Sequence, residues 1–192
     1  MALDRQFRPA MGISLASVAP RYQPLFAFAL LSAASCLASL ALACATPFAA
    51  FAVVAAAMLP LGSALAVIAG AWLVNQGIGF CALGYPIDAT TLAWGFAIGA
   101  AALAATLLAS AALRVLPRLV PAPLALTATL LCAYAAYEFV LLAATPVLGG
   151  AAAFEPAIVL RIGLTSMAWL IGLVAVCEAV RLLGSFRAER AL

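Results

Sequence analysis

The sequence predicts an all-α membrane protein, a single bundle of helices that crosses a lipid bilayer several times. Of its 192 residues, 69% are apolar and only 8% are charged, whereas about a quarter of the residues of a water-soluble domain are charged. The charged residues lie between long apolar runs. One span needs about 20 apolar residues, so the stretch 24–183 has room for five or six spans.

The apolar runs give the predicted spans in chain order. The first run, 25–45, ends in Ala43-Cys44-Ala45, which resembles the cleavage site of a secretory signal. Because this run is longer than the apolar core of a usual signal, we expect it to remain as the first span. Pro47 can begin the second helix, and a turn at 60–63 can end it. The predicted spans are 25–45, 47–60, 62–80, 90–113, 122–145 and 157–182.

The positions of the arginines decide between six spans and five. If 46–80 were one kinked helix, the loop bearing Arg114 and Arg118 would lie opposite the N-terminal arginines, against the positive-inside rule. If 46–80 forms two helices, all arginine-bearing tails and loops share one side. We therefore predict six transmembrane helices, with five as the alternative, and cytoplasmic N and C termini. The cytoplasmic side would carry Arg5, Arg8, Arg21, Arg114, Arg118, Arg181, Arg187 and Arg190, and the opposite side Asp88 and Glu155. The predicted domains are a cytoplasmic N-terminal tail at 1–23, one transmembrane domain at 24–183 and a cytoplasmic C-terminal tail at 184–192.

Several chemistries are disfavoured by what the sequence lacks. It contains no histidine, which is the usual ligand of haem, copper and catalytic zinc. Its five cysteines include no Cys-x-x-Cys pair, and it has no phosphate-binding loop. The net charge of +3 is spread over the chain ends and one loop. We therefore expect no enzyme activity, no cofactor or metal, and no nucleic-acid partner.

Two amides at the end of the third span form the first candidate site. Asn75 and Gln76 precede the segment 77–91, whose three glycines and one proline predict non-helical backbone. Such backbone is tolerated at membrane depth where protein or a water-filled cavity satisfies it, so a cavity open to the outer face is expected. The alternative is structural, with the amides bonded to a neighbouring helix and Asp88 or Thr90 capping the fourth helix. The sequence leaves both interpretations open.

Ionisable side chains inside the last two spans form the second candidate site. Tyr134, Tyr137 and Glu138 are spaced i, i+3 and i+4 and share one helix face. Glu138 lies well inside the hydrocarbon region, where a carboxyl group is a functional candidate by default. Its structural alternative is an ion pair with Arg161. Arg161 lies at the outward end of the sixth span, where it could bind an anionic ligand, pair with Glu155 or extend to the headgroups.

The order of short motifs along the first half of the chain carries a family resemblance. These motifs are Ala29-xxx-Ala33 in the first span, Thr46-Pro47, Leu59-Pro60-Leu61-Gly62, Asn75-Gln76-Gly77-Ile78-Gly79-Phe80 and the turn Gly84-Tyr85-Pro86. Over about 25–113 this order resembles the S-components, the substrate-binding membrane subunits of energy-coupling-factor vitamin transporters. The chain lacks the Gly-Pro-Thr-Gly-Gly-Tyr stretch of biotin-type members and the histidines of metal-type members, so no substrate is predicted.

The resemblance implies six helices, cytoplasmic termini and a multi-pass location in the cell membrane, of the bacterial inner-membrane type. It implies that Ala29 and Ala33 contact a transmembrane coupling subunit, and that partner ATPases energise uptake of a small water-soluble vitamin or precursor. The alternative function is a non-transporting accessory or assembly subunit of a larger membrane complex. Together with the residue analysis, the resemblance gives as candidate substrate-binding residues Asn75, Gln76, Tyr85, Trp94, Tyr137, Glu138 and Arg161.

Overall fold

The computed structural model describes residue 15 and residues 18–42 and 45–189, the last three without their side chains. In this part of the chain the fold consists of six α-helices with no strand, and a short 3₁₀ turn at Pro20–Tyr22 precedes the first helix. The helices are α1 (Gln23–Leu42), α2 (Phe48–Met58), α3 (Leu61–Cys81), α4 (Ala89–Val115), α5 (Ala122–Leu148) and α6 (Pro156–Glu189). Arg5, Arg8, Arg190, the Ala43-Cys44 pair and most of the predicted N-terminal tail lie outside the described residues.

Five of the helices, all except α2, are long and apolar enough to cross a membrane. This finding confirms the predicted all-α membrane bundle, and the helix boundaries lie close to the predicted spans. The main difference is at α6, which continues past the predicted end at residue 182 to Glu189. Its last turns carry the ion pair between Glu178 and Arg181 on the exposed surface.

The short helix α2 lies at the centre of the bundle. Its 11 residues extend about 16 Å, roughly half the thickness of a hydrocarbon core. Phe48, Phe51, Val53 and Val54 are at most 1% exposed, and apolar residues surround the helix on all sides, as expected for a fully buried helix. Neighbouring helices, and not lipid, therefore form the surroundings of α2.

Helices α1 and α3 run parallel to each other on one side of α2. Ser35 Oγ on α1 donates to the Ala71 carbonyl on α3 at 3.3 Å. Further along both helices, Asn75 Nδ2 donates to Ser39 Oγ at 2.8 Å, so the contacts occur in the same order along each helix. Because α1 and α3 point in the same direction, the chain must cross the bundle again between them. It does so through α2 and the extended residues that flank it. This arrangement favours the six-pass interpretation over one kinked helix.

The six-pass order defines two ends of the bundle. The end that holds the α3–α4 and α5–α6 connections is called the outer end below, following the charge-based prediction. Arg21, Arg114, Arg118 and Arg181 lie at the opposite, inner end by their positions at the start of α1, the end of α4, the turn before α5 and the end of α6.

The segment at the end of α3 decides between two overlapping expectations from the sequence. The third span was predicted to end at residue 80, whereas the segment 77–91 was predicted to be non-helical. Helix α3 continues through Gly77 and Gly79 to Cys81, and only 82–88 leave the helix. The glycine at 79 serves close packing, because a β-carbon there would lie 2.7 Å from the ring of Tyr85. Gly84, at a φ of +67°, provides the left-handed turn.

Glycines also allow α3 and α4 to approach closely. The Trp72 indole of α3 donates its Nε1–H to the Gly95 carbonyl of α4 at 2.9 Å. One turn further, a β-carbon on Gly99 would lie 2.7 Å from Cε2 of the same indole. The rigid indole ring therefore fills the space that a side chain at residue 99 would need.

We predict that Gly99→Ala destabilises the bundle by about 1–3 kcal/mol, the usual cost of overpacking. Gly77→Ala is the matched control, because a β-carbon at this α3 position meets nothing within 4 Å. The control should be neutral or slightly stabilising, since alanine is the better helix former. Unfolding of both variants in detergent measures the difference, and equal stabilities would contradict the packing described here.

Candidate functional site

The Asn75 amide is the centre of a hydrogen-bond network near the outer end. Its Nδ2 donates to Ser39 Oγ at 2.8 Å and to Thr46 Oγ1 at 2.9 Å. Its Oδ1 accepts from Gln76 Nε2 at 3.2 Å. A side-chain amide has two N–H donors, and both are used here, so Asn75 links α3 to α1 and to the segment before α2. A ligand contact by Asn75 stays a prediction, while its packing role follows from the geometry.

Two buried serines of α1 extend this network into the core of the bundle. Ser39 is 2% exposed and its Oγ donates to the Ser35 carbonyl at 2.7 Å. Buried hydroxyls need such partners because an unsatisfied polar group is costly in an apolar interior. Ser35 and Ser39 are spaced i, i+4 on α1, which is the signal in the sequence that could have identified them as one polar face.

Gln76 and the aromatic side chains converge at the outer end. The Gln76 Oε1 lies against α4, since a β-carbon on Gly95 would be only 2.6 Å from it. The Tyr85 ring packs on Gly79, one turn further along α3, and forms a T-shaped pair with Phe80 at 6.3 Å between centroids. The structure thus brings Gln76 and Tyr85 to one end of the α3–α4 pair.

Trp94 connects this region to the last two helices. It precedes Gly95 on α4, and its Cζ2 lies 3.5 Å from the position of a β-carbon on Gly150, in the α5–α6 connection. Gly150 adopts a left-handed φ of +84°. Three predicted ligand residues therefore lie at the outer end: Gln76 against α4, Tyr85 in the α3–α4 connection and Trp94 beside the α5–α6 connection.

Asp88 caps α4, as the structural alternative expected. Its Oδ1 accepts from the Thr91 backbone N–H at 2.8 Å, and Thr91 Oγ1 donates to Oδ2 at 3.2 Å. The backbone hydrogen bond from Thr91 is the main cause that lowers the pKa of the Asp88 carboxyl below its ordinary value of 3.8. The cap satisfies an amide at the N-terminus of α4.

Tyr134 lies at the side of α5 that meets α6. It donates its hydroxyl to the Val159 carbonyl of α6 at 2.7 Å, and Glu138, one turn further along α5, lies on the same helix face. Tyr137 is buried, at 7% exposure. The cross-helix ion pair between Glu138 and Arg161 is not formed, because the salt bridge found within the described ranges joins Arg181 to Glu178.

Arg161 lies apart from the other predicted ligand residues. It is exposed on the surface of α6, beside Leu164 and Thr165. None of the hydrogen bonds and ion pairs between described side chains joins its guanidinium to Glu155 or to the outer-end cluster.

Ala29 and Ala33 are exposed on α1. The alanines that α1 turns towards the bundle are different ones, Ala27, Ala34 and Ala38, all at most 4% exposed. The predicted partner-binding pair therefore lies on the side of α1 that no described helix covers.

Comparisons with known proteins give no match to any family model, curated protein or solved structure. Within residues 18–42 and 45–189 there is no group of three or more cysteine, aspartate or glutamate side chains that could hold a metal ion. The S-component resemblance rests on the order of sequence motifs alone.

We predict that Ser39→Ala destabilises the protein by about 0.6–1.7 kcal/mol, between the average and the maximum measured for interhelical hydrogen bonds in a membrane protein. Ser32→Ala on the same helix is the matched control, because the Ser32 hydroxyl is buried and has no hydrogen-bond partner among the described residues. Removing that hydroxyl should leave stability equal or raise it. Parallel unfolding curves check this, and a larger loss in Ser32→Ala would contradict the network.

We predict that acidification removes the stabilisation contributed by Asp88. Because its pKa is lower in the folded state, this contribution is present above the ordinary aspartate pKa and is lost as the pH falls through the lowered folded value. Asp88→Asn keeps a capping side chain without the charge. The Tm of wild type, relative to that of Asp88→Asn, should therefore fall as the pH is lowered from neutral to about 3. A difference independent of pH would show that the charge of the cap contributes nothing.

Proposed function

We propose that the chain is a membrane-integral substrate-binding subunit for uptake of a small water-soluble nutrient, a vitamin or precursor, energised by partner ATPase subunits. The observation that carries the proposal is the convergence of Gln76, Tyr85 and Trp94 at the outer end. Small-molecule sites combine aromatic and apolar linings with a few polar groups that fix orientation. One amide and two aromatic rings from three chain segments provide such a set.

In this proposal the chain supplies recognition and its partners supply energy. The faces of Tyr85 and Trp94 would stack on a planar ring of the solute, and the Gln76 carboxamide would orient it by hydrogen bonding. Asn75 would act on the solute only through Gln76. Its Oδ1 accepts from Gln76 Nε2, and this hydrogen bond fixes the orientation of the Gln76 amide. Arg161 is not part of this site, because it lies on the exposed surface of α6.

The exposed Ala29 and Ala33 support the partner part of the proposal. Small side chains let a second membrane helix approach the α1 backbone closely, which is how helices associate in lipid. Contact with lipid alone does not require small side chains at these two positions, because larger apolar side chains would suit lipid equally well. We propose that a transmembrane coupling subunit packs on this face and links the chain to the ATPases, in a cell membrane of the bacterial inner-membrane type.

A non-transporting accessory subunit is the second candidate, and one observation favours it. Both amide hydrogens of Asn75 are used for packing against α1 and the segment before α2. Tyr134 similarly ties α5 to α6. Polar groups that serve helix packing are what an assembly subunit needs, and such a protein would show no solute-dependent stabilisation.

We predict that one compound in a panel of water-soluble vitamins and precursors raises the Tm of the purified protein. A ligand at a hundredfold its Kd stabilises the native state by about 2.7 kcal/mol. Tyr85→Leu should reduce this shift. Tyr22→Leu, which changes an exposed tyrosine at the inner end, is the matched control and should keep it. No shift in folded wild-type protein would favour the accessory subunit, and an equal loss in both variants would remove the outer-end site.

A further inference from the structure

An apolar groove runs between α1 and α6 on the side of the bundle that faces lipid. Among the described residues, no α-carbon of α1 lies within 8 Å of an α-carbon of α6. The gap between the two helices has a volume of about 420 Å³. Leu30, Ala33 and Leu37 line it on α1, and Trp169 and Gly172 line it on α6. The Trp169 ring packs edge-on against the buried Phe51 of α2, 6.1 Å between centroids.

The groove exists because α6 is the least buried of the long helices. Within the most apolar stretch of 18 residues, only 17% of α6 is buried, against 28–33% for the other four long helices. It is held to the bundle through α2 and the Tyr134 bond to Val159. No described segment covers the groove, so its apolar walls face the hydrocarbon of the bilayer.

Arg161 lies on the same face of α6, towards the outer end. A second, shallower depression along α6 is lined by Arg161, Leu164, Thr165 and Ala168, and Ala168 also lines the groove. The two depressions therefore meet at Ala168. From Arg161 to Gly172 the helix advances about 16 Å, close to the depth of one leaflet of a hydrocarbon core about 30 Å thick.

No carboxylate in the described part of the chain compensates the charge of Arg161. Of the described carboxylates, the one within salt-bridge distance of an arginine is Glu178, whose partner is Arg181. A guanidinium prefers phosphate and carboxylate partners that accept two parallel hydrogen bonds. An uncompensated arginine above an apolar groove is complementary to a molecule with an anionic head and an apolar tail.

We propose that this face of α6 binds one anionic glycerophospholipid of the outer leaflet, with its phosphate at Arg161 and an acyl chain in the α1–α6 groove. Charge complementarity favours a lipid as the occupant. An arginine beside an apolar groove matches an anionic headgroup and an acyl chain, whereas a wholly apolar helix would leave the guanidinium without a partner. Apolar walls exclude a water-soluble solute, so the site is independent of the proposed nutrient site.

Quenching of Trp169 by brominated lipid tests the proposal directly. The full chain with Trp72→Phe and Trp94→Phe keeps Trp169 as its one tryptophan, and it is reconstituted in phosphatidylcholine vesicles. Acyl-brominated phosphatidylglycerol or acyl-brominated phosphatidylcholine is then added at the same low mole fraction. We expect phosphatidylglycerol to quench with about fivefold higher apparent affinity, the effect of one basic side chain on an anionic lipid.

Variants on α6 separate the head and tail parts of the site. Arg161→Gln should remove the preference for phosphatidylglycerol, and Arg181→Gln, at the other end of the same helix, should keep it. Gly172→Leu should reduce quenching by both lipids, because a β-carbon there meets no protein atom within 4 Å and residue 172 lines the groove. Gly184→Leu, equally free of neighbours and outside the groove, should change nothing.

Equal quenching by the two lipids would overturn the proposal and leave Arg161 as a residue that only extends to the headgroups. Absence of quenching by either lipid would also overturn it, because another protein segment would then fill the groove. Native mass spectrometry of the chain with its three tryptophans is the second readout. It should retain phosphatidylglycerol in wild type and lose it in Arg161→Gln, and an unchanged lipid count would contradict the site even if the tryptophan substitutions impair folding.

Discussion

The short helix α2 sets the constraint on which the rest of the bundle depends. A helix of 11 residues cannot cross a hydrocarbon core in contact with lipid, because the extended residues at its ends would leave backbone polar groups unsatisfied. The bundle avoids this by enclosing α2 completely. All five other helices contact α2, namely the parallel pair α1 and α3 together with α4, α5 and α6. Asn75 links this arrangement at the outer end, because its amide joins α3 to α1 and to the segment that leads into α2.

Small residues then determine how closely the helices around α2 pack. On the α3–α4 side, Gly95 and Gly99 admit the Trp72 indole, and Gly79 admits Tyr85. On the α4–α5 side, fully buried alanines such as Ala105 and Ala133 bring the backbones together. Without a hydrophobic force between helices in lipid, such close packing and the few interhelical hydrogen bonds hold the structure. The proposed nutrient site lies in this tightly packed half.

The α6 side of the molecule is built differently. Its contacts with the bundle are few, and they include the hydrogen bond from the Tyr134 hydroxyl of α5 to the Val159 carbonyl. Where α6 and α1 diverge, an apolar groove opens beside Ala33. Ala33 belongs both to the exposed Ala29 and Ala33 face and to the lining of the groove, so a partner packed on this face and a lipid in the groove would meet at Ala33. The two proposed surfaces are therefore separable only by variants such as Gly172→Leu that fill the groove without altering α1.

The sequence by itself determined the solvent of this protein and the course of its chain. The scarcity of charge required lipid, the length of the apolar runs located the helices, and the arginines predicted that the chain returns across the bundle between the first and third spans. These properties depend on amino-acid composition and on the spacing of residues along the chain. The sequence also placed Asp88 among the candidate caps, because capping is local.

Only the tertiary structure decided what the polar residues do. Asn75 could bind a ligand or a helix by sequence alone, and the parallel packing of α1 on α3 brought Ser39 and Thr46 to its amide. Glycines 77 and 79 looked like turn residues, yet helix α3 includes them, because a glycine in a tightly packed helix and a glycine in a turn look identical in sequence. Arg161 followed the same rule: its spacing suggested a ligand or an acidic partner, and the divergence of α6 from α1 placed it above an apolar groove. In each case the partner is distant in the chain, so its identity depends on how the helices pack.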